Sequence, residues 1–101
     1  RRERREAEKA SKADRRREAA QRRAAFEPLA KEIRATEALM DRIRKRIDGI
    51  EDELANPAVY EKDPSTATRL AKERSQLAQQ LAAHEDKWLT MSAEYEEGTA
   101  E

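Results

Sequence analysis

From Phe26 onward, apolar side chains return in alternating steps of three and four: Phe26, Leu29, Ile33, Thr36, Met40, Ile43, Ile47, Ile50 and Leu54, with Thr36 the one polar member. Four heptads of this kind lay a narrow apolar stripe along one side of a helix, and such a stripe needs a partner helix to cover it. Glu27, Lys31, Arg34, Asp41, Arg42, Lys45 and Asp48 fall around the stripe and favour solvent. Glu27–Lys31 and Asp41–Lys45 each set an acid four residues ahead of a base, a modest support for the helix. Gly49 stands one position off the stripe and costs the helix about 1 kcal/mol relative to alanine. It reads as a tolerated surface glycine rather than a bend or a close backbone approach.

The same rhythm returns in Ala67, Leu70, Arg74, Leu77, Leu81, His84, Trp88, Met91 and Tyr95, interrupted by Arg74 and His84. Each stripe spans about 29 residues, roughly 43 Å of helix at 1.5 Å per residue. Equal lengths and a short connection predict an all-α fold, an antiparallel two-helix coiled-coil hairpin in which each helix covers the other. Periodicity leaves two pairings open, one heptad apart. In one, Leu29 faces Trp88 and Met40 faces Leu77; in the other, Ile33 faces Met91 and Ile47 faces Leu77.

The connection carries two Asx-Pro steps, Asn56-Pro57 and Asp63-Pro64, each an N-cap followed by proline at the first helical position. Proline disfavours helix in the residue before it, so the first helix should stop near Ala55. A single turn from Pro57 to about Glu61 would tuck Val59 and Tyr60 over the hairpin's end, giving an ordered capping turn with Asn56, Pro57, Tyr60, Asp63 and Pro64 as its marker residues. Pro28, inside a helix, would delete one backbone hydrogen bond and kink the rod. The preceding residues are therefore either a separate helix ending near Phe26 or part of one long bent helix. With almost nothing to bury, that basic N-terminal helical arm is expected to fray in water when isolated. The chain thus divides into a basic linker or arm at 1–25, a hairpin at 26–97 (helix 26–55, tip 56–64, helix 64–97) and a disordered tail at 98–101.

Composition narrows the function. Charged residues make up 44% of the 101, and 19 of the 37 apolar residues are alanine, too little large apolar material for an ordinary two-layer core. Cysteine is absent, which removes disulfides and thiolate metal sites. No apolar run approaches the roughly 20 residues of a membrane span. The chain opens on Arg1 with no signal-like segment, as expected of a piece of a longer chain. His84 is the only histidine and lacks the companions of a metal or nucleophile site, so it is expected to be a seam residue that tunes register. The only glycines, Gly49 and Gly98, form no phosphate-binding loop. Phe26, Trp88 and Tyr95 gather at one end of the hairpin as packing residues. No catalytic group is expected, no cofactor and no metal.

Charge gives the one functional signal. The formal net charge is zero, yet residues 1–25 hold 11 basic and 5 acidic side chains, whereas residues 57–101 hold 5 and 9. Arg15, Arg16, Arg17, Arg22 and Arg23 are each suited to neutralising a phosphate, and Lys31, Arg34, Arg42 and Lys45 on the outer face of the first helix would extend the track. Such binding would follow the nucleic-acid backbone, weaken steeply with salt and read no bases. The alternative is a coiled-coil spacer or protein-docking arm with no nucleic-acid role, whose associations salt would barely weaken.

Three segments carry a family resemblance. Glu53-Leu54-Ala55-Asn56-Pro57-Ala58-Val59-Tyr60-Glu61-Lys62-Asp63-Pro64 resembles a "LADPxLYxxDP" turn, with Asn56 standing where the pattern has Asp. Arg22-Arg23-Ala24-Ala25-Phe26-Glu27-Pro28-Leu29-Ala30-Lys31-Glu32-Ile33 is similar to "RxALxPLRKEI", and Glu85-Asp86-Lys87-Trp88-Leu89 to "EExWLE". Together they resemble the C-terminal coiled-coil domain of ABC-F ATPases of the Uup type, over about residues 15–97. The resemblance implies a cytoplasmic protein with two ATP-binding cassettes outside these residues, so ATP belongs to the parent protein. It also implies action on ribosomes and translation, and contact of this domain with DNA or ribosomal RNA. A coiled-coil arm like that of the valyl-tRNA synthetase is disfavoured by the two Asx-Pro steps and by Trp88-Leu89.

Overall fold

The computed structural model describes residues 1–100, a rod of 85 × 18 × 14 Å. Its elements are α1 (Arg2–Ala25), α2 (Glu27–Leu54), α3 (Pro57–Lys62) and α4 (Pro64–Thr99), with no strand among the described residues. Helices α2 and α4 form the antiparallel hairpin, and α3 packs on both at the tip.

The arm is helical from Arg2 to Ala25. Its Ala-, Arg- and Glu-rich sequence has high intrinsic helix propensity, and its last turn rests on α2 and α4. Phe26 is at once the end of α1 and the start of α2, with φ −93° and ψ 2°. Its N–H donates to the Arg22 carbonyl and its own carbonyl accepts from the Ala30 N–H, so the interruption is a single residue. Pro28 then sits in the first turn of α2, where a missing N–H costs nothing. The rod is two helices meeting at Phe26.

Of the two registers, the structure adopts the one with Ile33 opposite Met91 and Ile47 opposite Leu77. Arg74 donates from Nε and Nη2 to Glu51 Oε1 (3.0 and 2.7 Å), and the Phe26 ring lies on Gly98, at the opposite end of the hairpin. Arg46 grips both oxygens of Glu73 at 2.9 and 3.0 Å, and its hydrogen bonds hold the Glu73 carboxyl below the usual carboxylate range. Arg44 reaches Glu85 at 3.4 Å. These exposed pairs fix alignment more than they add stability. Arg74, which broke the apolar stripe, is thus a tie across the helices. Among the described residues the expected pairs at spacing four do not form: Glu27 takes Arg34 two turns away (2.9 Å), and Asp41 takes Arg44 (3.4 Å).

The buried side chains are Ala30, Thr36, Met40, Ile43 and Ile50 on α2 and Ala67, Leu70 and Met91 on α4. Ile50 alone among the large ones is completely inaccessible. Gly49 has open space where a Cβ would project, so it is a surface glycine. Gly49→Ala is expected to stabilise the hairpin by up to about 1 kcal/mol, read as a higher melting temperature.

At the tip Asn56 Oδ1 accepts from the Ala58 N–H at 3.1 Å. Asp63 Oδ1 accepts from the Ser65 N–H (3.0 Å) and Ser65 Oγ (2.6 Å), and Oδ2 from Thr66 Oγ1 (3.0 Å). Val59 is half-buried beneath the turn, whereas Tyr60, expected to tuck with it, points outward and is 49% exposed. Helix α4 continues through Gly98 to Thr99, where a disordered tail was expected from 98 onward; Thr99 Oγ1 donates to the Tyr95 carbonyl at 2.7 Å. Glu101, the last residue of that expected tail, lies outside the described residues.

The hydroxyls of Ser65 and Thr66, with the Ser65 N–H, pull the Asp63 pKa below the usual carboxylate range. A carboxyl whose pKa is lower folded than unfolded contributes stability that is complete above the unfolded value, about 3.9, and is lost as pH falls through the folded one. Asp63→Asn retains a capping side chain but not the titration. Its melting temperature is therefore expected to fall less than the native protein's between about pH 5 and pH 2; an equal fall would refute this role.

Candidate nucleic-acid interface

Positions 12, 15, 16, 19 and 22 follow helical spacing and share one face of α1. There Lys12, Arg15, Arg16, Glu18, Ala19 and Arg22 line a shallow cleft of about 310 Å³. Ala19 is the one buried residue of α1. Arg23, one heptad after Arg16, borders the same face. Among the described residues no carboxylate pairs with Lys12, Arg15 or Arg16, which are exposed and open to an external anion. Arg22 is half-buried, with its Nε enclosed and without a hydrogen-bond partner. Arg17 falls on the opposite side of α1, 4.0 Å from Asp14.

Lys31, Arg42 and Lys45 are exposed along the outer face of α2, whereas Arg34, also exposed, borders a shallow cleft with Ser92, Tyr95 and Glu96 of α4. Arg34 is taken by Glu27, leaving Lys31, Arg42 and Lys45 unpaired among the described residues. Ala19 and Phe26 are seven residues apart and so share a face, and Phe26 lies against α4. The α1 cluster therefore lies on the α4 side of the rod, whereas the α2 cluster looks away from α4. The single track expected from the sequence is two patches on different faces. Sequence reasoning passed over Lys12, although its spacing of three and four from Arg15 and Arg16 carried the signal.

Elsewhere the surface offers little chemistry. Among the described residues no group of His, Asp and Glu side chains is placed to hold a metal ion. His84 is half-buried between the helices, and Trp88 borders a cleft of about 210 Å³ with Glu37, Met40, Asp41 and Arg44. Among the described residues no helix is long and apolar enough to cross a membrane.

A family model described as ABC transporter C-terminal domain matches residues 28–93. No curated protein and no solved structure matches the chain. The matched span runs from the first turn of α2 through the tip into the last third of α4, which is the hairpin; the arm lies outside it.

Proposed function

Because this chain belongs to the ABC transporter C-terminal domain family, we propose that it is a non-catalytic accessory module of an ABC-F protein of the Uup type. It contacts nucleic acid, ribosomal RNA or DNA, through phosphate-directed Arg and Lys side chains. The match is to a helical C-terminal domain and not to a catalytic cassette. The parent ATPase supplies ATP chemistry from elsewhere in its chain, and the module serves it at the ribosome, in the cytoplasm, in support of translation. The observation that carries this reading is the α1 cleft, where Lys12, Arg15 and Arg16 converge around Ala19 without acidic partners. A rod 85 Å long presents that cleft well away from its capped tip. The cationic groups meet phosphate oxygens and release condensed counterions, while the hairpin keeps the arm's base in place.

The test is a titration of fluorescent duplex DNA and of a ribosomal RNA fragment with residues 1–101 and 26–101. Four to five phosphate contacts predict a loss of affinity of about 10²-fold between 50 and 200 mM salt for the whole chain. The chain lacking the arm is expected to bind weakly if at all. No binding of either nucleic acid at low salt would refute the proposal and favour a spacer or protein-docking arm.

A further inference from the structure

Helix α4 is longer than α2, and its final turn runs beside the junction at Phe26. There the Phe26 ring fills the volume that a side chain at residue 98 would take: a Cβ on Gly98 would fall 2.6 Å from Cε2, and closer to Cζ and Cε1. Gly98 has no positive φ, so its backbone does not call for glycine. Glycine within a helix costs about 1 kcal/mol relative to alanine. What it provides at this point is room. Little else holds the arm, since α1 buries only Ala19 and most of its length is exposed. Both Phe26 and Gly98 lie just outside the residues that the family model matches, 28–93.

We infer that Phe26 and Gly98 form a ball-and-socket latch that sets the direction of the basic arm. With the ring seated, α1 lies along the hairpin axis and the rod reaches 85 Å. With the ring out of its socket, α1 swings as a rigid helix about the single-residue break. Pro28 prevents α1 and α2 from fusing across that break, because its ring would clash with the Ala24 carbonyl in an unbroken helix. Arg15 lies about 16 Å from the pivot at 1.5 Å per residue, so a modest swing re-aims the whole cationic cleft. The latch thus decides which surface the arm meets, whatever that surface is.

The chain has no cysteine, which allows clean spin labelling. Lys9→Cys with Glu94→Cys places one label on each side of the latch, about 30 Å apart along the rod. Asp48→Cys with Gln76→Cys reports on the hairpin alone. Gly98→Val fills the socket and Phe26→Ala empties it. Both are expected to broaden the Lys9–Glu94 distance distribution while the Asp48–Gln76 distribution keeps its native width. A Lys9–Glu94 distribution that stays as narrow as the native one in both variants would overturn the latch. So would equal broadening of the hairpin pair, which would place the disturbance in the hairpin itself.

Discussion

Replacing Ile50 with alanine is expected to cost the hairpin about 2–5 kcal/mol, the range for deleting most of a fully enclosed aliphatic side chain. Ile50 has no accessible surface, and the nearby Leu70 retains 2%. Both lie on the tip side of the hairpin, where α3 packs on the two long helices as a third element. Ile33, on the same stripe but far from α3, is only half-buried. A total stability of about 5–15 kcal/mol for a chain of this size makes the Ile50 loss a large share. The melting temperature, followed by circular dichroism, should fall by tens of degrees, at about 4–8 °C per kcal/mol. Ile33→Ala is the comparison, and its smaller burial predicts a clearly smaller drop. Equal drops at Ile33 and Ile50 would show that the tip does not concentrate the hairpin's stability.

Heptad spacing made the hairpin legible, because a narrow apolar stripe on each of two equal segments has few other ways to be covered. The two Asx-Pro steps marked the tip, since a capping oxygen and a proline act locally and do not depend on distant contacts. Register was another matter. A shift of seven residues keeps stripe facing stripe, so the choice between Met91 and other partners for Ile33 was not written in periodicity. It is settled by polar and steric matches, Arg74 with Glu51 and Phe26 with Gly98, whose partners become neighbours only after the chain has folded back. The same dependence on tertiary contact explains the extra turn of α4. A disordered tail was expected from 98 onward, yet Gly98 lies against a ring 72 positions away. The arm's helicity was legible in its Ala-, Arg- and Glu-rich composition, which favours helix without burial. At the candidate interface residue types were readable and faces were not: splitting the basic residues into two patches requires knowing which side of the rod α4 covers.

That split makes the second large effect selective. Arg15→Gln, Arg16→Gln and Arg22→Gln together remove three charges from the α1 cleft without placing poor helix formers in the arm. If each of these side chains meets one phosphate, the slope of log affinity against log salt should shrink by about 3 on duplex DNA. Affinity at low salt should fall on the order of a hundredfold. The matching triple on α2, Lys31→Gln, Arg42→Gln and Lys45→Gln, removes the same net charge from a face turned away from the cleft. One rigid duplex laid along α1 does not reach that face, so this triple should cost less than about tenfold through the long-range field alone. Equal losses from the two triples would mean that net charge, not the α1 cleft, attracts the nucleic acid. Losses from neither would detach these arginines and lysines from binding altogether. The slope separates direct contact from field, because a side chain that only adds to the surrounding potential releases no counterion of its own.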